Sequence, residues 1–176
     1  VGILVVGGGA DLRPVLHGGP QENGRRPGTV DPAGIVGTAA ALVVATSGRR
    51  AEVSRVAALR DRLARGLVDG VGGLVETVPS GGQGAPGKVA GSCHVLVAGV
   101  DQEELLLLLD EAGVCASAGA ACASGALEPS HVLLAMGLDP ARARTAVRFS
   151  LGWTTTEADV DAAVAAVAKA VEQLRR

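Results

Sequence analysis

The sequence predicts an α/β fold, a small sheet with helices mainly on one face. Two observations carry this. From about residue 46 onward, stretches of helical and strand periodicity alternate in the order helix, strand, strand, helix, strand, helix, strand, helix. The composition, 48% hydrophobic and 19% charged, is that of a packed globular chain rather than a disordered one. Residues 1–45 stand outside the alternation and read as the end of another domain, so the expected division is 1–45 and 46–176.

Taken in order, residues 1–6 (Val-Gly-Ile-Leu-Val-Val) read as a buried strand. A strand of that kind at the first residue is expected of a chain cut from a longer protein. Gly7-Gly8-Gly9 make a turn, and residues 12–16 a short extended piece. Residues 17–29 are polar, rich in glycine and hold two prolines, which excludes a regular helix or a central strand. Asp31-Pro32 is a helix start, and the segment to about Ala45 is apolar all round, so a buried helix is expected. From about Arg50 to Val68, apolar Val53, Val56, Leu59, Leu63 and Leu67 recur at helical spacing among arginines. Those arginines either meet an acidic partner or form a solvated face.

Residues 74–78 and 93–97 are short strands, separated by a surface loop with four glycines and two prolines. Asp101 caps a helix that ends at Gly113. A long stretch of Ala, Ser and Gly follows, with Cys115 near its start and Cys122 at its centre. Residues 131–136 form a short helix closed by Gly137, and residues 146–151 a strand with one charge, Arg148. Thr154-Thr155-Thr156-Glu157 cap a last helix with Val160, Val164, Val167, Val171 and Leu174 on one stripe.

The net charge is −2 and the aromatic residues are Phe149 and Trp153, which leaves no electrostatic attraction to nucleic acid and no stacking platform for bases. No apolar run reaches the length of a membrane span. Three cysteines are too few for a disulfide scaffold and suit a reducing cytoplasm, where a thiol can do chemistry. No second cysteine pair accompanies Cys115 and Cys122, so no structural zinc site is expected. Cys93, inside a strand, is expected to be a small buried hydrophobe.

Three groups are candidates for function. Cys122 is either a nucleophilic thiol presented by a loop or an incidental cysteine in a connector. Arg148 is either a fork for a carboxylate or a paired structural arginine. The loop of residues 17–29, with Arg25 and Arg26, is either an anion cradle or a solvated turn. His17, His94 and His131 do not cluster in sequence, and each is expected to be a satisfied polar residue.

Four motifs occur in one order: residues 17–29 (His-Gly-Gly-Pro-Gln-Glu-Asn-Gly-Arg-Arg-Pro-Gly-Thr), 117–125 (Ser-Ala-Gly-Ala-Ala-Cys-Ala-Ser-Gly), 127–133 (Leu-Glu-Pro-Ser-His-Val-Leu) and 147–152 (Val-Arg-Phe-Ser-Leu-Gly) followed by Thr154-Thr155. Together they resemble the C-terminal half of a group I (long-loop) cysteine desulfurase of the class V aminotransferase fold. The resemblance covers essentially the whole chain. It implies that residues 1–45 are the last strand and helix of a large pyridoxal-phosphate-binding domain, and that 46–176 is the small C-terminal domain carrying the Cys122 loop.

The resemblance implies a pyridoxal 5'-phosphate enzyme, a homodimer, that converts L-cysteine to L-alanine. Cys122 would take the sulfur as a persulfide and pass it to an iron–sulfur scaffold or another acceptor, with transient ligation of a cluster on the scaffold an open option. Arg148 would bind the substrate carboxylate, and Thr29 the cofactor phosphate across the dimer interface. Two departures stand out. The family's serines are replaced by Ala118 and Ala120, and its Leu-Pro-Asn entry to the second strand by Val89-Ala90-Gly91. The lysines are Lys88 and Lys169, and neither sits in the Ser-His-Lys setting the family uses for its Schiff base. The chain alone is therefore expected to be an inactive fragment. The alternatives are another class V lyase acting on cysteine or selenocysteine, and a non-enzymatic sulfur carrier or docking module.

Overall fold

The computed structural model describes residues 1–77, 88–118 and 129–176. The chain divides into two compact units, Val1–Arg49 and Arg50–Arg176.

In the first unit the expected strand at residues 1–6 does not form. These residues are irregular, and Val1, Ile3, Leu4 and Val5 are more than half exposed. A lone extended segment gains no hydrogen bonds, and this unit offers no second strand to pair with it. Helix α1 (Gln21–Gly24) is a single distorted turn in which Glu22 and Asn23 are left-handed, with φ of 51° and 57°. Helix α2 (Pro32–Ser47) starts where expected, with the Asp31 side chain accepting from the Gly34 N–H at 3.0 Å and proline in the first turn. The expected burial of α2 fails, because none of its residues is buried. Its apolar Ile35, Val36 and Val44 lie open, since the unit has no second layer to cover them.

The second unit holds a four-stranded sheet of order β1-β2-β4-β3, with every neighbouring pair antiparallel. Its elements are α3 (Arg49–Gly70, which begins at the unit boundary), β1 (Leu74–Glu76), β2 (Ser92–Val97), α4 (Gln102–Glu111), β3 (Ser117–Ala118), α5 (His131–Ala135), α6 (Pro140–Ala143), β4 (Ala146–Ser150) and α7 (Glu157–Leu174). The strand expected between the fourth and fifth helices is only two residues long. Helix α6 was not foreseen; Asp139 caps it by accepting from the Arg142 N–H at 3.0 Å, with Pro140 in its first turn.

Alternation along the strands sorts the side chains. Cys93, Val95 and Val97 of β2 and Val147 and Phe149 of β4 join Leu59, Leu63 and Leu67 of α3, Leu105 and Leu109 of α4 and Val160, Val167 and Val171 of α7 in the main core. Helices α3, α4 and α7 therefore cover one face. Each fully buried Leu or Val there contributes about 1.5–3 kcal/mol. Close approach of α3 and α7 depends on Gly66, where a Cβ would stand 2.8 Å from Val164 Cγ2. Three arginines of α3 find acidic partners among the described residues, Arg55 on Glu52, Arg60 on Asp61, and Arg62 forking onto Asp161 at 2.9 and 2.7 Å and reaching Glu157 at 2.9 Å.

Helix ends are well marked. Asp101 accepts from the Glu103 and Glu104 N–H groups. Gly113, at φ 78°, closes α4 with Val114 N–H reaching back to the Leu109 carbonyl at 2.8 Å. Thr156 and Asp159 form a reciprocal capping box on α7, and the Thr156 amide and hydroxyl hold the Asp159 carboxyl below its ordinary range. On the opposite face of the sheet a smaller cluster of Leu96, Ala146, Leu133 and Ala143 seats α5 and α6.

Candidate active site

The face under α5 and α6 is not apolar throughout. One row across the sheet, Val75–Leu96–Ala146, is. Two residues further along, the row is polar: His94 pairs with Arg148, and Arg148 pairs with Ser117. Thr77 extends β1 beyond Glu76, its N–H donating to the His94 carbonyl at 2.9 Å. The row Thr77–His94–Arg148–Ser117 thus crosses the whole sheet, with neighbouring side chains on one face. The Thr77 hydroxyl and His94 Nδ1 share a hydrogen bond of 2.7 Å.

Arg148 is half-buried, and its Nε is buried with no hydrogen-bond partner among the described residues. A buried donor left unpaired costs about 1–3 kcal/mol, and more when it carries charge. Among the described residues this Nε has no acceptor of the kind a paired structural arginine would have. A guanidinium that offers Nε and a neighbouring Nη edgewise matches the two oxygens of a carboxylate.

Cys122 lies outside the described residues. The points from which its loop departs and to which it returns are described. Ala118 ends β3, beside Val147, and Pro129 precedes α5, which packs on the Arg148 face. Ala118 shares the helix-covered face with Val147, which accounts for an apolar residue where the resemblance leads one to expect serine. Gly91 has a comparable reason. Its carbonyl accepts from the Leu151 N–H at 2.8 Å, and a Cβ at 91 would lie 2.3 Å from the Leu151 oxygen.

Thr29 belongs to the first unit, is exposed, and follows Gly28, whose φ is 110°. The Gly28 N–H donates to Gln21 Oε1 at 3.3 Å and Arg26 Nη1 to the Pro27 carbonyl at 2.5 Å, so the loop is tied to itself. Arg148 and Thr29 are in different units and are not brought together within either. Cys93 is fully buried; burial pushes its thiol up to about 11, with Glu76 adding to the shift, which makes it inert at neutral pH. Cys115, two residues before β3, is exposed. Among the described residues no three His, Cys, Asp or Glu side chains gather as a metal site. Among them, too, no helix is long and apolar enough to cross a membrane.

Residues 6–163 match the Aminotransferase class-V family. The chain belongs to that family. It is 43% identical over 176 residues to an IscS-like cysteine desulfurase of Mycobacterium tuberculosis, covering 100% of this chain and 44% of that protein. It is 39% identical over 176 residues to the cysteine desulfurase NifS of Azotobacter vinelandii, covering 99% and 42%. Among solved structures it resembles a NifS-like protein with a TM-score of 0.78 at 29% identity, over 95% of this chain and 41% of that one. The NifS-like protein of Rickettsia africae shares the fold, with a TM-score of 0.76 at 22% identity over 93% of this chain and 41% of that one. The chain thus spans less than half the length of the curated relatives it matches.

Class-V aminotransferases and the NifS-like fold imply a pyridoxal phosphate cofactor. Among the described residues Arg148 carries a buried Nε without an acceptor, a donor suited to an anionic group, and Thr29 is exposed. The lysines do not fit covalent attachment. Lys88 is ion-paired with Glu76, which shares the helix-covered face with Val95, and Lys169 is exposed on α7.

Proposed function

We propose that this chain is the C-terminal half of a group I cysteine desulfurase, and that the whole protein converts L-cysteine to L-alanine. The supporting observation is the Nε of Arg148, unpartnered among the described residues, on the sheet face next to β3, which ends just before the stretch holding Cys122. In this reading Arg148 grips the substrate carboxylate in two parallel hydrogen bonds and so fixes the direction in which the substrate thiol points. The Cys122 thiolate attacks that sulfur. A sulfur–sulfur bond forms, the carbon–sulfur bond breaks with its electron pair left on carbon, and carbon is protonated to give alanine. The persulfide on Cys122 is then carried out to an iron–sulfur scaffold or other sulfur acceptor.

Pyridoxal phosphate, when bound, supplies the electron sink that makes the cysteine carbon–sulfur bond cleavable. Thr29 contacts its phosphate across a homodimer interface, and its covalent lysine lies in the part of the protein outside this chain. Residues 1–45 close the cofactor domain, whose remainder covers the apolar surface of α2. The chain by itself is inactive, and the protein works in the cytoplasm.

The test uses the whole protein. Cys122→Ala should still bind L-cysteine but yield no persulfide by mass spectrometry and no catalytic L-alanine. Continued desulfuration by Cys122→Ala would favour a class V lyase that does not use this thiol. Transfer of sulfane sulfur from an added low-molecular-weight persulfide to Cys122 of the isolated wild-type chain, with no cofactor present and the donor thiol released, would favour the sulfur-carrier alternative.

A further inference from the structure

The polar row on the sheet contains more than the substrate's arginine. Strands half-buried on one face normally carry apolar residues there, as the row Val75–Leu96–Ala146 does. The next row of that face holds Thr77, His94, Arg148 and Ser117 in transverse register. Directly opposed side chains on an antiparallel pair have Cβ atoms about 4.5–5.5 Å apart, so the imidazole of His94 and the Ser117 hydroxyl flank Arg148 from its two sides. His94 is not free to rotate away. Its Nδ1 is bonded to the Thr77 hydroxyl at 2.7 Å, and Thr77 is in turn held by its own N–H on the His94 carbonyl at 2.9 Å. Engaging Nδ1 in this way fixes the plane of the ring.

We propose that His94, oriented by Thr77, is a positioning residue for carboxylate capture. It forms the wall on the β2 side of Arg148 and holds the guanidinium edge, with its unpaired Nε, toward the substrate. The ligand class is an amino acid with a free α-carboxylate. The assignment rests on the desulfurase reading only for the identity of that amino acid, since the geometry concerns the carboxylate alone. The two lysines do not substitute for it, Lys88 being ion-paired with Glu76 and Lys169 exposed on α7.

The whole protein carrying His94→Leu, His94→Gln or Thr77→Val tests this in two ways. Kinetics with L-cysteine should show a KM raised about tenfold in His94→Leu with kcat changed less than about twofold. Thr77→Val should give a smaller rise of the same kind, and His94→Gln, which keeps a hydrogen-bonding head, should recover part of the loss. Calorimetry should show weaker binding of L-alanine in His94→Leu but unchanged binding of ethylamine, which lacks the carboxylate. An unchanged KM and unchanged L-alanine binding would overturn the proposal. So would equal losses for L-alanine and ethylamine, the mark of a merely structural residue, or wild type binding L-alanine no better than ethylamine. If wild type makes no L-alanine from L-cysteine, the desulfurase reading falls, and the calorimetric comparison still decides the role of His94.

Discussion

Replacing Arg148 with Met separates the two consequences of a buried, unpaired donor. In the ligand-free protein the Nε of Arg148 is buried without an acceptor among the described residues, a state that costs about 1–3 kcal/mol. Methionine keeps most of the unbranched stem that packs beside His94 and Ser117 but removes the polar atoms. Some of the stabilisation is offset, because Arg148 is not fully buried and its guanidinium retains contact with water. A net gain of about 1 kcal/mol is expected, which for a unit of this size raises the melting midpoint by roughly 2–4 °C. Function moves the other way, with KM for L-cysteine rising about a hundredfold or more as the bidentate pair is lost. The assay is thermal unfolding of the whole protein with and without saturating L-alanine. Wild type should gain stability from the ligand and Arg148→Met should not. A midpoint that falls by several degrees in the ligand-free variant would refute the reasoning, because it would mean that Arg148 is a satisfied structural residue.

The other expectations concern the thiols and the packing. At pH 7–8 an alkylating reagent should label exposed Cys115 and leave Cys93 unmodified in the folded protein, as peptide mapping would report. Because the folded pKa of Cys93 is raised to about 11 from about 9, its contribution to stability is complete below pH 9 and lost as pH climbs through 11; Cys93→Ala should flatten that alkaline decline in denaturant titrations. Leu67→Ala, at a residue with 0% exposure where α3 meets the sheet, should cost about 2–5 kcal/mol in a denaturant titration with the slope unchanged. Gly91→Asn should destabilise the protein by about 1–3 kcal/mol rather than restore a useful contact, because its Cβ would meet the Leu151 carbonyl oxygen, a backbone atom that cannot swing aside. A Gly91→Asn protein as stable as wild type would show that the β2 entry can be rebuilt.

The second unit is legible in the sequence because its signals are local. Asp101, Thr156 and Gly113 mark helix ends by hydrogen bonds within a few residues, and the leucines of α3 declare their buried face by spacing alone. The first unit misled for the opposite reason. An apolar composition says that residues 1–6 and α2 prefer to be covered, but only a partner surface converts that preference into a strand or a buried helix. Strand β3 was hard to bound because Ser117 and Ala118 have little strand preference; pairing with β4 alone makes them extended. The family motif carried Arg148, while the unpaired state of its Nε emerges only once burial and partners are known. By sequence alone His94 is one of three unclustered histidines. The signal that would have promoted it is its place between Cys93 and Val95, which puts it on the face of Arg148 rather than in the core.

That alternation also explains how one sheet can keep a stable core and a reactive surface without either spoiling the other. Adjacent positions of β2 send Cys93 and His94 to opposite faces. On the helix-covered side burial drives the Cys93 thiol up to about 11, so the thiolate that would compete for sulfur is suppressed there. On the other side the Arg148 Nε is without an acceptor among the described residues, and Thr77 and His94 are bonded to each other beside it. A one-residue slip of β2 against β4 would exchange the two sets of β2, burying His94 under α3 and α7 and turning Cys93 toward the Arg148 face. The register of the sheet is thus protected by its chemistry as well as by its packing. Substitutions at Gly91 that push β2 away from Leu151 should lower carboxylate affinity even though Gly91 touches no substrate.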